Sequence, residues 1–126
     1  VTAGGGGGTY AATGAPTNAS DVIILSTSAL TTGTNGGDLS AATDGTELLK
    51  ALTNNAAADA YTGLTTTANL DKFYAVAYQG GNAYIYYVEE TGSNLLAAAG
   101  EIELVATLTG VLANALDVND FNVLLT

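Results

Sequence analysis

Apolar residues in this chain fall in short runs separated by Thr, Asn, Gly and Asp, and most runs have the period of a strand. Val22, Ile23, Ile24 and Leu25, bounded by Asp21 and Ser26, predict a buried strand, because β-branched side chains suit a pleated surface. Residues 72–79 and 83–90 are rich in Tyr, Val, Ile and Phe, and Gly80, Gly81 and Asn82 between them supply the positive φ angles of a hairpin turn. In the second run Tyr84, Tyr86 and Val88 share one face, while Ile85 and Tyr87 share the other. Both faces are apolar, as in a strand covered on two sides or paired with a neighbouring subunit. Residues 101–108 alternate: Ile102, Leu104, Ala106 and Leu108 are predicted to point one way, and Glu101, Glu103, Val105 and Thr107 the other. Thr109 and Gly110 turn the chain. Residues 112–116 read as a short helical turn, 121–125 as a final strand and Thr65, Thr66 and Thr67 as an exposed one.

Helical spacing occurs once with a start signal. Asp44 and Glu47 fit a capping box, with Asp44 as N-cap, and Leu48, Leu49 and Leu52 then fall on one side of a short helix. Residues 31–45 before it read as a loop. Residues 1–19 form a low-complexity arm containing Gly4, Gly5, Gly6, Gly7 and Gly8. Such a run is a flexible linker, or a strand in which Gly lets two backbones approach closely. The predicted organisation is the arm 1–19 followed by a single β-rich domain, 20–126. The fold class is mainly β, a sandwich or jelly-roll-like antiparallel domain with one or two short helices. No tandem β/α pattern supports an open parallel sheet.

Composition narrows the chemistry. The 126 residues hold 48 % hydrophobic but only 11 % charged side chains, so the surface is built from Thr, Asn, Ser, Gly and backbone. Lys50 and Lys72 are the basic residues against twelve acids, a net charge of −10. Such a chain repels phosphate, which argues against nucleic acid and against an anionic membrane surface as partner. No apolar run approaches the length of a membrane span. With no Cys and no His, thiol nucleophiles, thiolate zinc sites and imidazole bases are excluded. Carboxylate pairs remain for glycosidase chemistry. Glu89 and Glu90 point to opposite faces of a strand, and Glu101 and Glu103 read as the exposed face of theirs. The chain lacks Met, so Val1 reads as a processing product or as the first ordered residue of a longer chain.

Oxygen ligands for calcium come from loop carboxylates and amides. Asp38, Asp44, Asp21, Asn35 and Asp71 lie in or beside loops and are the calcium candidates; capping of a helix by Asp44 and Asx-turns at the others are the structural alternative. Tyr74, Tyr78, Tyr84, Tyr86 and Tyr87 offer packing and interface surface or a sugar-stacking platform. A surface so poor in charge has little to guard strand edges against pairing. Self-association is therefore expected, through the glycine arm Gly4 to Gly8 and through Tyr84 and Tyr86.

The carboxyl half resembles a known family. Asn69, Leu70, Asp71, Lys72 and Phe73 are followed in order by Gly81-Asn82-Ala83-Tyr84-Ile85-Tyr86-Tyr87-Val88, by Ile102-Glu103-Leu104-Val105-Ala106-Thr107-Leu108-Thr109-Gly110-Val111 and by Leu116-Asp117-Val118-Asn119-Asp120-Phe121. This order resembles the carboxyl-terminal domain of repeats-in-toxin (RTX) and S-layer-like proteins exported by type I secretion. The likeness covers about residues 69–126. The family's calcium nonapeptide is absent in tandem; Asn35, Gly36, Gly37, Asp38 and Leu39 are a broken fragment of it. The resemblance implies a secreted, extracellular or cell-surface protein whose export signal is its acidic-then-apolar end, Asp117 and Asp120 followed by Phe121, Val123, Leu124 and Leu125. The expected function is a non-enzymatic structural subunit of a bacterial extracellular filament or surface layer. The alternatives are the export and folding domain of a larger type I-secreted hydrolase or adhesin, and a carbohydrate-binding module.

Overall fold

The computed structural model describes residues 2–4, 22–25, 29–32, 36–54, 63–65, 72–91, 96–116 and 118–121. The fold is mainly β. Strands β1 (Thr2–Gly4), β2 (Val22–Ile24), β3 (Gly63–Thr65), β4 (Lys72–Gln79), β5 (Asn82–Glu89), β6 (Leu96–Ala97) and β7 (Ile102–Thr109) accompany one α-helix, α1 (Thr46–Asn54). A four-stranded sheet has the order β2-β4-β5-β7, and a three-stranded sheet has the order β1-β3-β6.

The hairpin β4–β5 organises the larger sheet. Its loop is two residues long, Gly80 with φ 60 and Gly81 with φ 80, so Gln79 pairs with Asn82 and Lys72 with Glu89. Two consecutive positive φ angles match the right-handed twist of the strands, and Gly adopts them without strain. Asn82 thus belongs to the strand rather than to the turn, and Glu90 lies just beyond it. From this register one face of the sheet receives Phe73, Ala75 and Ala77 of β4 with Tyr84, Tyr86 and Val88 of β5; the other receives Val76 and Tyr78 with Ala83 and Ile85.

Each face has its own cover. Over the first lie Leu48, Ala51 and Leu52 of α1, Leu39 from a 3-10 turn (Leu39–Ala41), Leu30, and Ala97 of β6. The spacing of Leu48, Ala51 and Leu52 is that of one helix face, whereas Leu49 packs at its margin. Over the second face lie Phe121, Leu116, Val111 and Ala113. Tyr78 pins this carboxyl-terminal segment: its hydroxyl donates to the Leu116 carbonyl at 3.3 Å and accepts from the Leu116 N–H at 3.1 Å.

Several expectations are corrected. β2 runs parallel to β4, so the sheet is mixed rather than fully antiparallel. A parallel pair needs a long crossover, and the connection from β2 to β4 carries α1 across the first face. β7 holds an irregularity: Ile85 pairs with Ala106 but Tyr86 with Leu104, leaving Val105 as the extra residue of a β-bulge. One extra residue reverses the alternation beyond it. Ile102 and Leu104 therefore join the first core, while Ala106 joins the second and Leu108 is exposed. The segment expected as a helical turn holds one hydrogen-bonded turn, Ala115 N–H to the Leu112 carbonyl at 3.1 Å, with Asn114 at φ 63. Phe121 ends a 3-10 turn (Val118–Phe121) instead of opening a strand. Thr2–Gly4 is not a free arm but pairs with β3 of its own chain, Gly4 opposite Gly63; Gly5, Gly6, Gly7 and Gly8 lie outside the described residues. Thr65 is in β3, and Thr66 and Thr67 also lie outside.

The loop before α1 is held by a buried amide. Gln79 Oε1 accepts from Leu39 N–H at 2.8 Å, and its Nε2 donates to the Gly37 carbonyl at 2.7 Å. Gly37, at φ 98, lies so close to α1 that a Cβ there would sit 2.9 Å from the Ala51 Cα and backbone nitrogen. Gly81 has open space around it. In chemical denaturation Gly81→Val should therefore cost about 1–2 kcal/mol, from backbone strain. Gly37→Ala should cost distinctly more, since strain and overlap with the helix add. A Gly37→Ala protein as stable as Gly81→Val would refute this packing of loop on helix.

Candidate functional site

The acidic loop residues act first on their own backbone. Asp38 Oδ1 accepts from the Ser40 N–H at 3.0 Å and the Ser40 hydroxyl at 2.7 Å, capping the 3-10 turn. Asp44 Oδ1 accepts from the Thr46 N–H at 2.9 Å. These bonds hold both carboxyl groups below the ordinary value, the Ser40 hydroxyl being the largest cause for Asp38 and the Thr46 N–H for Asp44. The capping box does not close. Leu49 N–H reaches the Gly45 carbonyl at 2.9 Å, which makes Gly45 the N-cap, one residue later than expected. Glu47 then turns away from Asp44. Its Oε1 accepts from Lys50 at 2.7 Å, and its Oε2 accepts the N–H groups of Gly37 at 2.6 Å and Asp38 at 3.1 Å. The Lys50 bond, followed by the Gly37 N–H, lowers the Glu47 pKa. Asp21, Asn35 and Asp71 lie outside the described residues. Among the described residues no three carboxylates converge in a group that could hold a metal ion.

The tyrosines divide between core and surface. Tyr84 and Tyr86 are 5 % and 0 % exposed, packed beneath α1 and its neighbours, so neither is available to a neighbouring subunit. Even-numbered positions of β5 face α1, which is why both expected assembly tyrosines turn inward. Burial, then Tyr84, pushes the Tyr86 hydroxyl far up in pKa. Tyr74 and Tyr87 stack obliquely at 5.4 Å and 53° on the opposite face. Beside them Tyr87, Glu89, Thr91, Gly100, Glu101 and Glu103 line an open cleft of about 240 Å³. Two of its three carboxylates have clear structural work. Glu89 pairs with Lys72 at 2.9 Å. Glu101 accepts from the Thr91 N–H and the Ala98 N–H, both at 2.8 Å, and from the Thr91 hydroxyl. Glu101 ends a 3-10 turn (Ala99–Glu101) instead of lying in β7, yet it lines the same cleft as Glu103, and the hairpin register brings Glu89 beside them; Glu90 is buried.

The outer edge of β7 is different in character. Along its first part the edge is covered, because Leu104 N–H donates to the Thr43 carbonyl at 2.7 Å and Asp44 bridges to Glu103. Past the bulge, no strand among the described residues pairs with the outer side of residues 105–109. Val105 is 48 % exposed, Leu108 37 % and Leu112 68 %, and these three are the exposed large hydrophobic side chains of the described residues. Residues 104–116 contain no charged side chain. An unguarded, uncharged edge of this kind is a template for strand addition. Sequence reasoning missed it because strict alternation put Leu108 on the core side.

Of the predicted export residues, Asp120 is exposed and Phe121 is 4 % exposed within the second core; Asp117, Val123, Leu124 and Leu125 lie outside the described residues. No helix among the described residues is long and apolar enough to cross a membrane. Comparison of the chain with protein families, with curated proteins and with solved structures finds no match.

Acid should loosen the loop before α1. The carboxyl groups of Asp38, Asp44 and Glu47 have ordinary values of 3.8, 3.8 and 4.5 and lie lower in the folded protein. Groups depressed in this way stabilise the fold above their unfolded values, and that contribution is lost as pH falls through the folded ones. Glu47→Gln should thus lower the denaturation midpoint at pH 7, and the gap to the parent protein should shrink toward pH 3. An equal gap at both pH values would rule out the carboxylate charge as its cause.

Proposed function

We propose that this chain is a non-enzymatic structural subunit of a secreted bacterial extracellular filament or surface layer. The observation that carries the reading is the β7 edge: over residues 105–109 no strand among the described residues pairs with its outer side, it is without charge, and it bears the exposed Val105 and Leu108. The lack of His and Cys, and the engagement of Glu89 and Glu101 in local structural bonds, favour a building role over catalysis. A closed sandwich or jelly-roll arrangement of the two sheets belongs to the same reading. So does the arm: Thr2–Gly4 could exchange its pairing with β3 for the same pairing in a neighbouring copy, which conserves the ladder. Export by a type I machine rests on the resemblance of residues 69–126 to RTX and S-layer-like proteins. Calcium enters only through the loop acids Asp38 and Asp44, since the family's calcium nonapeptide is absent in tandem.

The test is the state of the purified full chain. Light scattering and electron microscopy at high concentration and about 0.1 M salt, where repulsion is screened beyond about 10 Å, should reveal polymers or sheets. A strictly monomeric protein would overturn the subunit reading and favour the alternative, an export and folding domain of a larger secreted protein. For the export signal the informative truncation removes residues 122–126 and keeps Phe121. Loss of a buried Phe costs about 3–5 kcal/mol and would confuse misfolding with failed export. The truncated chain should be synthesised and folded but retained in the cell; normal amounts in the medium would dispose of the signal.

A further inference from the structure

We propose that the open half of β7 pairs antiparallel with the same segment of a second copy, about a two-fold axis at Thr107. This rests on the self-assembly reading and names its contact surface. The length of the open edge sets the register. Among the described residues, Thr43 and Asp44 occupy the edge at Glu103 and Leu104, and the strand ends at Thr109, so residues 105–109 are what they leave for a partner. Centring two such segments puts Thr107 opposite Thr107 of the second copy, and Val105 opposite its Thr109.

The backbone suits this pairing at its centre, Thr107. Leu104 N–H points away from β5, toward Thr43. Allowing for the extra residue at Val105, antiparallel alternation turns the N–H and C=O groups of Thr107 and Thr109 outward as well. A second copy satisfies the central pair by exchange, Thr107 with Thr107. On one face the two Leu108 side chains become diagonal neighbours across the axis, within reach of each other and removed from water.

Charge selects the occupant. The chain carries −10, so most of its surface repels a copy of itself. Residues 104–116 are free of charge, and the proposed register brings no acid opposite an acid. Glu103 lies outside the paired segment, and the two Glu103 residues stand roughly 27 Å apart along the strand at about 3.4 Å per residue. That exceeds the screening length of about 10 Å at 0.1 M salt. A foreign basic partner would be drawn to the cleft of Glu89, Glu101 and Glu103 instead of to this neutral stretch. The product is one continuous sheet joining the four strands of each copy.

The register permits a charge-swap experiment on the full chain. Thr107→Glu and Thr107→Lys each place like charges directly opposite at the axis, and each variant alone should associate at least fivefold or so more weakly than the parent. An equimolar mixture should restore association, because the introduced carboxylate then meets the introduced ammonium, and only across the mixed pair. Analytical ultracentrifugation reads the association and circular dichroism verifies the fold of each variant. Restored association in the mixture supports the pairing. Unchanged association of both single variants, in a protein that still assembles, would overturn this pairing and leave the structural-subunit reading standing. Weakened single variants without rescue on mixing would also overturn the register. A parent chain that never associates would remove both.

Discussion

The two-residue turn at Gly80 and Gly81 places Gln79 opposite Asn82, and the rest of the sheet depends on that register. A slip of one residue would turn every side chain of β5 over. Tyr84, Tyr86 and Val88 would leave the helix-covered core, and Ile85 would lose its place beside Val76 and Phe121. Because β4 and β5 are apolar on both faces, neither face alone could correct the slip. The turn does so locally, by requiring positive φ at two adjacent positions, which Gly80 and Gly81 supply without strain.

A second consequence is the place of Gln79. Held at the last position of β4, it projects a buried amide toward the loop and spans Leu39 N–H and the Gly37 carbonyl. A buried amide with both ends satisfied specifies one loop position, since removal of either partner leaves a desolvated group worth about 1–3 kcal/mol. Glu47 holds the same loop from the helix side through the Gly37 and Asp38 N–H groups. The loop in turn carries Thr43 and Asp44 to the edge of β7. The chain from turn to amide to loop therefore determines how much of that edge is covered.

Where this cover stops, the bulge at Val105 begins, and the two together make the surface to which we assign assembly. The bulge sends Ala106 to the second core and leaves Val105 and Leu108 outside. Natural sheets usually protect such an edge with charge. Here the guarding acid, Glu103, lies under the covered half, and the open half has none. The arrangement is consistent with an edge kept open for a partner strand of the same neutral composition.

Much of the sheet was legible in the sequence. Paired glycines between two runs rich in Tyr, Val and Ile predict the hairpin, Val22 to Leu25 predict a buried strand, and Leu48 and Leu52 predict the helix, because these signals depend on residues within one turn or one strand of each other. The parallel pairing of β2 with β4 was not legible, since a crossover is chosen by which core face the helix can cover. Nor was the bulge: nothing in Leu104, Val105 and Ala106 distinguishes a regular strand from one that must serve two cores at once. The inward turn of Tyr84 and Tyr86 depended on which face of β5 received α1. Local residues thus determined the elements and their periods by backbone preference and apolar spacing. Tertiary packing decided which face each residue meets and which edge stays open, because those follow from the competition of distant segments for the same two sides of one sheet.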